Sequence, residues 1–368
     1  MQKENKKIVW QSHESIVSGA NIALLEYIDA LSNTFDSFVI LPHQGSMQVA
    51  LENRGIAYAI VYQYGWTNGY PWWNVGKWMK VLLRSITAIL QTIHLLNKEK
   101  PSIVCTNTLV PFTASVAAKL KSIPHVWWIH EFGKEDFGFS TGWGLEKISF
   151  WWMQQSSKLI IGNSNAIKKK FSKLMPRAKV LFIYQPVGWN AIHLGEESKH
   201  ARFLMFGQIV ESKGHKDVLN ALLFNKKNGR PLYTLHIKGP NEIKSYVTEL
   251  QYFIKVNELQ EYVKIEVGYF KKEEVLPHYE ILIAASKSEA FGRVIVEANK
   301  AGLRSLVRNS GGAPELINES NGLLFSNLIE LSEQLSSESI FTNNPIRLNY
   351  NEDEQIQQLK HLLYSICR

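Results

Sequence analysis

Cysteine is scarce in this chain, which contains only two, Cys105 and Cys367, in unrelated sequence contexts. Two such cysteines supply neither a disulfide framework nor the spacing of a metal-ligand cluster. The first ten residues, MQKENKKIVW, include basic side chains but lack the apolar core of a secretory signal. We therefore expect a protein of the reducing cytoplasm.

Long hydrophobic runs are also missing. The most apolar helical stretch, residues 81–96, is interrupted by Arg84, Gln91 and His94 before it reaches the ~20 residues that a membrane span needs. The sequence therefore predicts no spanning helix.

Two common ligand motifs are absent as well. No G-x-G-x-x-G fingerprint occurs, which argues against a nicotinamide enzyme, and no cluster of Asp or Glu has a metal-ligand pattern. Acidic residues are outnumbered, 33 against 41 basic ones, which gives a formal net charge of +8. This excess favours a polyanionic partner, either a nucleotide diphosphate, an acidic lipid headgroup or nucleic acid, and charge alone does not choose among them.

The pattern that is present is an alternation of short β-branched runs with helical stretches. Strands are predicted near residues 8–10, 38–41, 58–61, 103–105, 125–129, 159–161, 180–183, 203–206, 235–238, 263–267 and 281–285. Such alternation predicts doubly wound parallel sheets, in which ligands bind at the carboxyl ends of strands. A length of 368 residues favours two domains.

One stretch, residues 284–317, combines two acids with a predicted helix start: AASKSEAFGRVIVEANKAGLRSLVRNSGGAPELI. A loop is predicted over 286–292 and a helix over 293–301, ended by Gly302. The N-terminus of a helix carries unpaired N–H groups and a partial positive charge, which suit a phosphate. Glu289 precedes this end and Glu297 lies just inside it, so both can accept hydrogen bonds from hydroxyls. The stretch predicts a site for a sugar joined to a nucleotide.

The same stretch resembles the signature of the retaining GT-B glycosyltransferases of family 4. In that family a serine precedes a glutamate, Phe-Gly follows, and a second glutamate and a Gly-Gly segment come later. The corresponding residues here are Ser286, Glu289, Phe291, Gly292, Glu297, Gly311 and Gly312. The alternative interpretation, a solvated helix face with an ordinary terminal glycine, explains a pair of glutamates but not the whole ordered string.

The resemblance implies an α/β fold of GT-B type, with two Rossmann-like domains facing a cleft. We expect an acceptor domain over residues 1–188, a donor domain over 189–345 and a helix over 346–368 that crosses back to the first domain. By the resemblance, Glu289 acts in catalysis on the donor sugar and Glu297 holds the ribose. The other residues of this stretch implied to bind the nucleotide sugar are Ser286, Phe291, Gly292, Arg293 and Val294.

Further matches lie outside that stretch. Gly207 and Lys213 match a Gly-Arg…Lys-Gly segment whose cations grip the donor diphosphate, so Lys213 is implied in both binding and catalysis. The usual arginine is replaced by Gln208, so Lys213 must carry more of the charge or another basic residue must substitute. A solvated surface lysine is the alternative. A second departure is Arg304, where the family usually has proline.

The first half of the chain supplies two weaker matches. Gly19 follows Ser18 where the family has a glycine-rich loop near the donor phosphate, and an ordinary N-cap serine with a turn glycine explains this equally well. His130 follows a predicted strand, where the family has a histidine that touches the donor sugar or the acceptor. We expect His130 to act in catalysis by positioning the reacting face, with a purely structural histidine as the alternative, and leave Glu131 to orient it or to bind the acceptor.

Residues 66–96 have the most unusual composition. Its first part contains four tryptophans, Trp66, Trp72, Trp73 and Trp78. They are interleaved with the cations Lys77, Lys80 and Arg84. This suits a bilayer interface, and aromatic core packing is equally plausible, whereas no nucleic-acid motif accompanies it. An apolar stripe at helical spacing is predicted to pack onto the sheet: Leu82, Ile86, Ile89, Ile93 and Leu96.

The resemblance implies a hexosyltransferase without a cofactor that uses a UDP- or GDP-sugar as donor, and the missing acidic cluster predicts that it is metal-independent. The expected acceptor is a hydroxyl of a bacterial surface glycan, such as lipopolysaccharide, or of a lipid-linked glycan. We expect peripheral contact with the cytoplasmic face of the inner membrane and no nucleic-acid partner. The alternatives are a GT-B nucleotide-sugar epimerase, a non-catalytic nucleotide-sugar-binding module and a periplasmic two-domain binding protein, the last disfavoured by the missing signal.

Overall fold

A computed structural model describes residues 6–66, 75–137, 146–188, 201–241, 243–341 and 345–367. The chain divides into two compact units. Unit 1 consists of Met1–Pro186 with Asn351–Arg368, and unit 2 of Val187–Tyr350.

Unit 1 is built on a seven-stranded parallel sheet of order β3-β2-β1-β4-β5-β6-β7. The order reverses between β1 and β4, which is where doubly wound sheets bind ligands. The strands are apolar because helices cover both faces. The elements in chain order are β1 (Lys6–Gln11), α1 (Gly19–Leu31), β2 (Phe35–Leu41), α2 (Ser46–Glu52), β3 (Ala57–Ile60), α3 (Val75–Glu99), β4 (Ile103–Asn107), α4 (Thr113–Leu120), β5 (His125–Ile129), α5 (Lys134–Phe137), α6 (Glu146–Ser156), β6 (Leu159–Gly162), α7 (Asn165–Leu174) and β7 (Val180–Phe182).

Unit 2 has a six-stranded parallel sheet of order β10-β9-β8-β11-β12-β13, which reverses between β8 and β11. Its elements are β8 (Ala201–Phe206), α8 (His215–Lys227), β9 (Leu235–Gly239), α9 (Lys244–Val256), β10 (Val263–Val267), α10 (Lys272–Val275), β11 (Tyr279–Ala284), α11 (Arg293–Lys300), β12 (Arg304–Arg308), β13 (Gly322–Phe325) and α12 (Leu328–Ser336). The predicted α/β class with two Rossmann-like domains is confirmed.

The last helix, α13 (Glu352–Ile366), belongs to unit 1 although it follows unit 2 in the chain. Its buried side chains Leu359 and Leu363 join the core formed by α1 and the sheet. Lys6 of β1 lies 4.0 Å from the ring centroid of Tyr364. The expected return of the final helix to the first domain is therefore confirmed.

Helix α3 departs from the prediction. Its buried face consists of Ser85, Ala88, Thr92 and Leu96, whereas Leu82 and Ile86 of the predicted inward stripe are exposed. The predicted stripe is wrong in its first half because α3 packs against α4 through small side chains, with Ala88 in one cluster with Ala114, Ala117 and Ala118.

The expectation of no span-length helix also needs correction. Among the described residues, the segment Met79–Glu99 has the length and apolar composition of a membrane span. Of its most apolar 18 residues, 22% are buried inside the protein. Trp72 and Trp73 lie outside the described residues.

Candidate functional site

The predicted phosphate-binding loops meet at the carboxyl edge of the unit 2 sheet. β8 and β11 are neighbours, so the loops that follow them lie side by side. The backbone N–H of Lys287 donates to the carbonyl oxygen of Ser212 at 2.9 Å, which ties the loop after β11 to the loop after β8. The sequence predicted both loops, and the structure brings them together.

Glu289 is the centre of this loop cluster. Its Oε2 accepts hydrogen bonds from Lys213 Nζ at 2.8 Å and from Ser286 Oγ at 3.0 Å. Ser286 is buried, while the side chains of Lys213 and Glu289 are 38% and 23% exposed. Three residues that the sequence singled out therefore form one contact set that reaches solvent.

Glycines fix the backbone around Glu289. Gly311 has a φ of +66°, and a Cβ there would lie 2.3 Å from the carbonyl oxygen of Glu289. The N–H of Gly312 donates to that same oxygen at 2.7 Å. Gly214 has a φ of +74°, and its Cβ would lie 2.1 Å from the carbonyl oxygen of Ala285. The loops approach so closely that a side chain at either glycine would push them apart.

Helix α11 begins at Arg293, a few residues after Glu289 in the sequence. Its N-cap is Gly292, with a φ of +100° and no side-chain cap, and the N–H groups of Arg293 and Val294 belong to its first turn. Phe291 is 2% exposed, and its ring packs against Tyr350 at a centroid distance of 6.2 Å. Phe291 therefore anchors the loop, and contact with a ligand at this position falls to the backbone.

Glu297 lies one turn inside α11 and is held by cations. Its Oε1 accepts a hydrogen bond from Lys272 Nζ at 2.7 Å and lies 3.6 Å from the guanidinium of Arg293. Lys272 begins the short helix α10 and was not identified from the sequence. No motif marks it, and only the fold brings it to Glu297.

Gly207 directly follows β8 with a φ of +131°, and nothing lies within 4 Å of the position of a Cβ there. Its backbone packs against β9, where a Cβ on Gly239 would lie 1.8 Å from the carbonyl oxygen of Gly207. Gln208 follows and is partly exposed. The strand end is thus open at Gly207 and crowded at Gly239.

In unit 1, His130 follows β5 and is engaged through both ring nitrogens. Nε2 lies 2.7 Å from Asn107 Oδ1, and Nδ1 lies 2.9 Å from Gln185 Nε2. The ring also lies parallel to Trp128, with a centroid distance of 6.5 Å. With these amide orientations Nε2 is placed to donate to Asn107 and Nδ1 to accept from Gln185.

Glu131 is buried and serves the backbone. One carboxylate oxygen accepts from the N–H of Leu109, and the other accepts from the N–H of His130 at 3.0 Å. Of the two roles considered for Glu131, these contacts give the carboxylate the task of fixing the strand-end loops and the backbone of His130.

Gly19 is the first residue of α1, with Ser18 as its N-cap, and nothing lies within 4 Å of the position of a Cβ at Gly19. The preceding loop holds a titratable cluster that the sequence analysis missed. Glu14 accepts a hydrogen bond from the Ser18 hydroxyl and lies 3.1 Å from His13 Nε2. Burial raises the pKa of Glu14, but the hydrogen bonds of His13 and Ser18, with the nearby charge of His43, outweigh it and lower the pKa.

The fold is shared with solved structures of low sequence identity. The structure of Anabaena Alr3699/HepE in complex with UDP and glucose superposes with a TM-score of 0.76 at 19% identity, covering 98% of this chain and 100% of that one. The lipopolysaccharide outer core galactosyltransferase WaaB, in its apo form, gives 0.70 at 16% identity and 98% coverage of each chain. A variant of S. aureus TarM in complex with Fondaparinux, alpha-GlcNAc-glycerol and UDP gives 0.66 at 11%, covering 98% of this chain and 96% of that one. The fold is therefore GT-B.

Family models define the class more closely. Residues 18–188 match the model described as Glycosyltransferase Family 4, and residues 192–340 match the model described as Glycosyl transferases group 1. The chain is therefore a GT-B glycosyltransferase, with these two domains in that order. No curated protein sequence matches it.

Proposed function

We propose that this protein transfers a hexosyl or related sugar from a nucleoside diphosphate to a hydroxyl of a glycan acceptor, with retention of the anomeric configuration. The observation that carries the proposal is the contact of Lys213 and Ser286 with Glu289, in the loop that leads into α11. A cation, a hydrogen-bonding carboxylate and a helix N-terminus are what a nucleotide sugar requires of its site.

The chemistry follows from where charge develops. As the nucleoside diphosphate departs, negative charge grows on its phosphate oxygens and the sugar becomes oxocarbenium-like. The ammonium group of Lys213 and the first N–H groups of α11, at Arg293 and Val294, stabilise that negative charge. A bound diphosphate competes with Glu289 for Lys213, so donor binding exchanges an internal ion pair for a phosphate contact. The carboxylate of Glu289 then accepts hydrogen bonds from the hydroxyls of the donor sugar.

Glu297 takes the other end of the donor in this proposal. Lys272 holds its Oε1, which fixes the direction of the carboxylate toward the ribose hydroxyls. Lys272 is therefore a positioning residue that acts through Glu297. Gly207 and Gly19 let the backbone come close to the donor, since neither position has a neighbour that a Cβ would meet.

His130 is assigned a positioning role. Its ring nitrogens face Asn107 and Gln185, so accepting a proton would require a rearrangement of these amides. An imidazole fixed by these contacts orients the reacting face of the donor or acceptor, and we assign no proton transfer to it.

For the donor we favour a UDP-sugar over a GDP-sugar, because the similar structures of Alr3699/HepE and TarM contain UDP. For the acceptor we propose a bacterial surface glycan on a lipid carrier, in keeping with the lipopolysaccharide substrate named for WaaB. Protein cations take the place of a divalent ion in this mechanism, so activity should survive chelation. A cytoplasmic enzyme that meets its acceptor at the membrane is the setting that this acceptor implies.

The direct test is a panel of UDP- and GDP-sugars with a membrane extract as acceptor, with and without EDTA. We expect UDP release that depends on both the extract and one sugar, that persists in EDTA, and that gives a product with the donor's anomeric configuration by NMR. Conversion of the donor without an extract would instead indicate an epimerase. Donor binding without any turnover would indicate a binding module, and loss of turnover in EDTA that magnesium or manganese restores would refute the metal-independent mechanism.

A further inference from the structure

The outward face of α3 is apolar over three turns. Its side chains at helical spacing are between 47% and 62% exposed: Met79, Leu82, Leu83, Ile86 and Leu90. Positions separated by three, four, seven and eleven residues share one side of a helix, so these five form a continuous stripe. Isolated exposed apolar residues are ordinary, whereas a contiguous stripe of this kind marks a surface that contacts something else.

The stripe is not an exposed remnant of the core. The core face of α3 is occupied by Ser85, Ala88 and Thr92, which let α4 approach closely. The larger side chains stand on the opposite side. Because Ala88 and Thr92 are fully buried, α3 cannot cross a bilayer without leaving the sheet. The span-like composition of α3 therefore belongs to a helix that lies on the protein with one face outward.

The helices next to α3 also carry exposed apolar side chains. α3, α4 and α6 lie side by side, since α3 packs on α4 and Trp152 of α6 donates to Ser115 of α4 at 2.9 Å. Leu120 at the end of α4 and Ile148 and Trp151 on α6 are exposed. An exposed tryptophan such as Trp151 suits the headgroup layer of a bilayer.

The charges on these helices have one predominant sign. Lys80 and Arg84 are exposed on α3, which contains no acidic residue before Glu99. Lys121, just past α4, is also exposed, and on α6 Lys147 is exposed beside Glu146, so cations still outnumber acids on the three helices. Such a surface complements an anionic bilayer, since lysine and arginine pair with acidic headgroups while apolar side chains enter the layer beneath. A second copy of the same face would bring these cations against each other.

We propose that the outer face of α3, α4 and α6 is a peripheral docking surface for an anionic membrane. The surface lies entirely within unit 1, which the family resemblance makes the acceptor domain, and it would hold that domain at the bilayer that carries a lipid-linked acceptor. The inference rests on the proposed function only for the identity of the acceptor. Binding to the bilayer itself follows from the surface alone.

The test is flotation of the full chain with vesicles of phosphatidylcholine alone and of phosphatidylcholine with 30% phosphatidylglycerol. We expect binding to the anionic vesicles only, weakened at least tenfold in the triple variant Leu83→Ser, Ile86→Ser and Leu90→Ser. All three side chains are exposed, so the variant should keep its far-ultraviolet circular dichroism. A matched control replaces exposed apolar residues of unit 2, Val256→Ser and Ile329→Ser, and should bind as the wild type does.

Charge and apolar contact can be separated with a second variant, Lys80→Glu with Arg84→Glu, which should lose anionic-vesicle binding more steeply at low salt than at high salt. Equal binding of the wild type and the triple variant would overturn the proposal. So would a concentration-dependent dimer that the triple variant abolishes, because it would assign the face to a second copy. UDP release from the donor with a detergent-dispersed acceptor should be the same in the wild type and in all variants. This activity assay tests the proposed function separately from membrane binding.

Discussion

The acids around Glu289 in unit 2 and the groups around His130 in unit 1 are held in different ways. In unit 2, cations pair with the carboxylates, as Lys213 does with Glu289 and Lys272 with Glu297. In unit 1, His130 lies between two amides, and Glu131 accepts hydrogen bonds from backbone N–H groups. A charged ligand can exchange partners in an ion pair, whereas amide and backbone contacts keep their geometry. This difference fits the proposal that unit 2 binds the charged donor while unit 1 supplies a fixed surface.

Among variants that test the difference between the two units, Lys213→Ala should have the largest effect on catalysis. The variant removes the cation from the phosphate site, and we expect kcat/KM to fall about 10²- to 10³-fold, the size of the loss when one charge-stabilising donor is removed. Lys216→Ala is the control, because Lys216 is exposed and pairs with Glu249. Initial rates of UDP release measure both. A similar loss in both variants would mean that Lys213 has no special place in the site.

Histidines in each unit should make stability depend on pH. Burial lowers the pKa of His125 to about 3 in unit 1 and that of His215 to about 4 in unit 2. The unfolded chain protonates each histidine near pH 6.5, so it binds more protons below that pH. The stability that the neutral histidines contribute is therefore complete above about pH 6.5 and is lost as the pH is lowered. For His125 alone, the free energy of unfolding should fall by about 3 kcal/mol between pH 7 and 4.

Urea unfolding from pH 7 to pH 4 measures this dependence. His125→Asn and His215→Asn should each flatten it, whatever stability they lose at pH 7. Identical slopes in the wild type and both variants would contradict the assignment.

Backbone strain at the site of unit 2 gives an effect of intermediate size. Gly311→Ala should lower the free energy of unfolding by about 2 to 3 kcal/mol, since it combines a positive φ with a Cβ pressed on Glu289. Gly229→Ala is a matched control with a φ of +63° and open space, and should lose about 1 kcal/mol. Equal losses would show that the contact with Glu289 adds nothing.

The smallest expected effect concerns the second ion pair. Glu297→Ala and Lys272→Ala should each weaken UDP binding about tenfold, because Lys272 acts through Glu297. The double variant should then be little weaker than either single one, which a double-mutant cycle by calorimetry would reveal. Full additivity would show that the two residues act independently. Glu289→Ala should instead lower turnover with little change in UDP affinity.

Much of this arrangement could be predicted from the sequence. The alternating pattern predicted eleven of the thirteen described strands but missed β12 and β13 of unit 2, and the ordered string from Ser286 to Glu297 located the loop and the start of α11. The partners of the acids were harder to predict, since Lys272 lies in a helix of four residues whose position depends on the fold. The orientation of α3 was missed because large apolar residues such as Leu82 and Ile86 are periodic on its outer face, while its core face uses Ala88 and Thr92.

Calorimetric titration with UDP and with uridine most directly tests whether the loops of unit 2 grip a diphosphate. We predict that the wild type binds UDP at least 100-fold more tightly than uridine, and that Lys213→Ala reduces this ratio to about tenfold or less. Equal affinities for UDP and uridine in the wild type, or an unchanged ratio in the variant, would contradict the account.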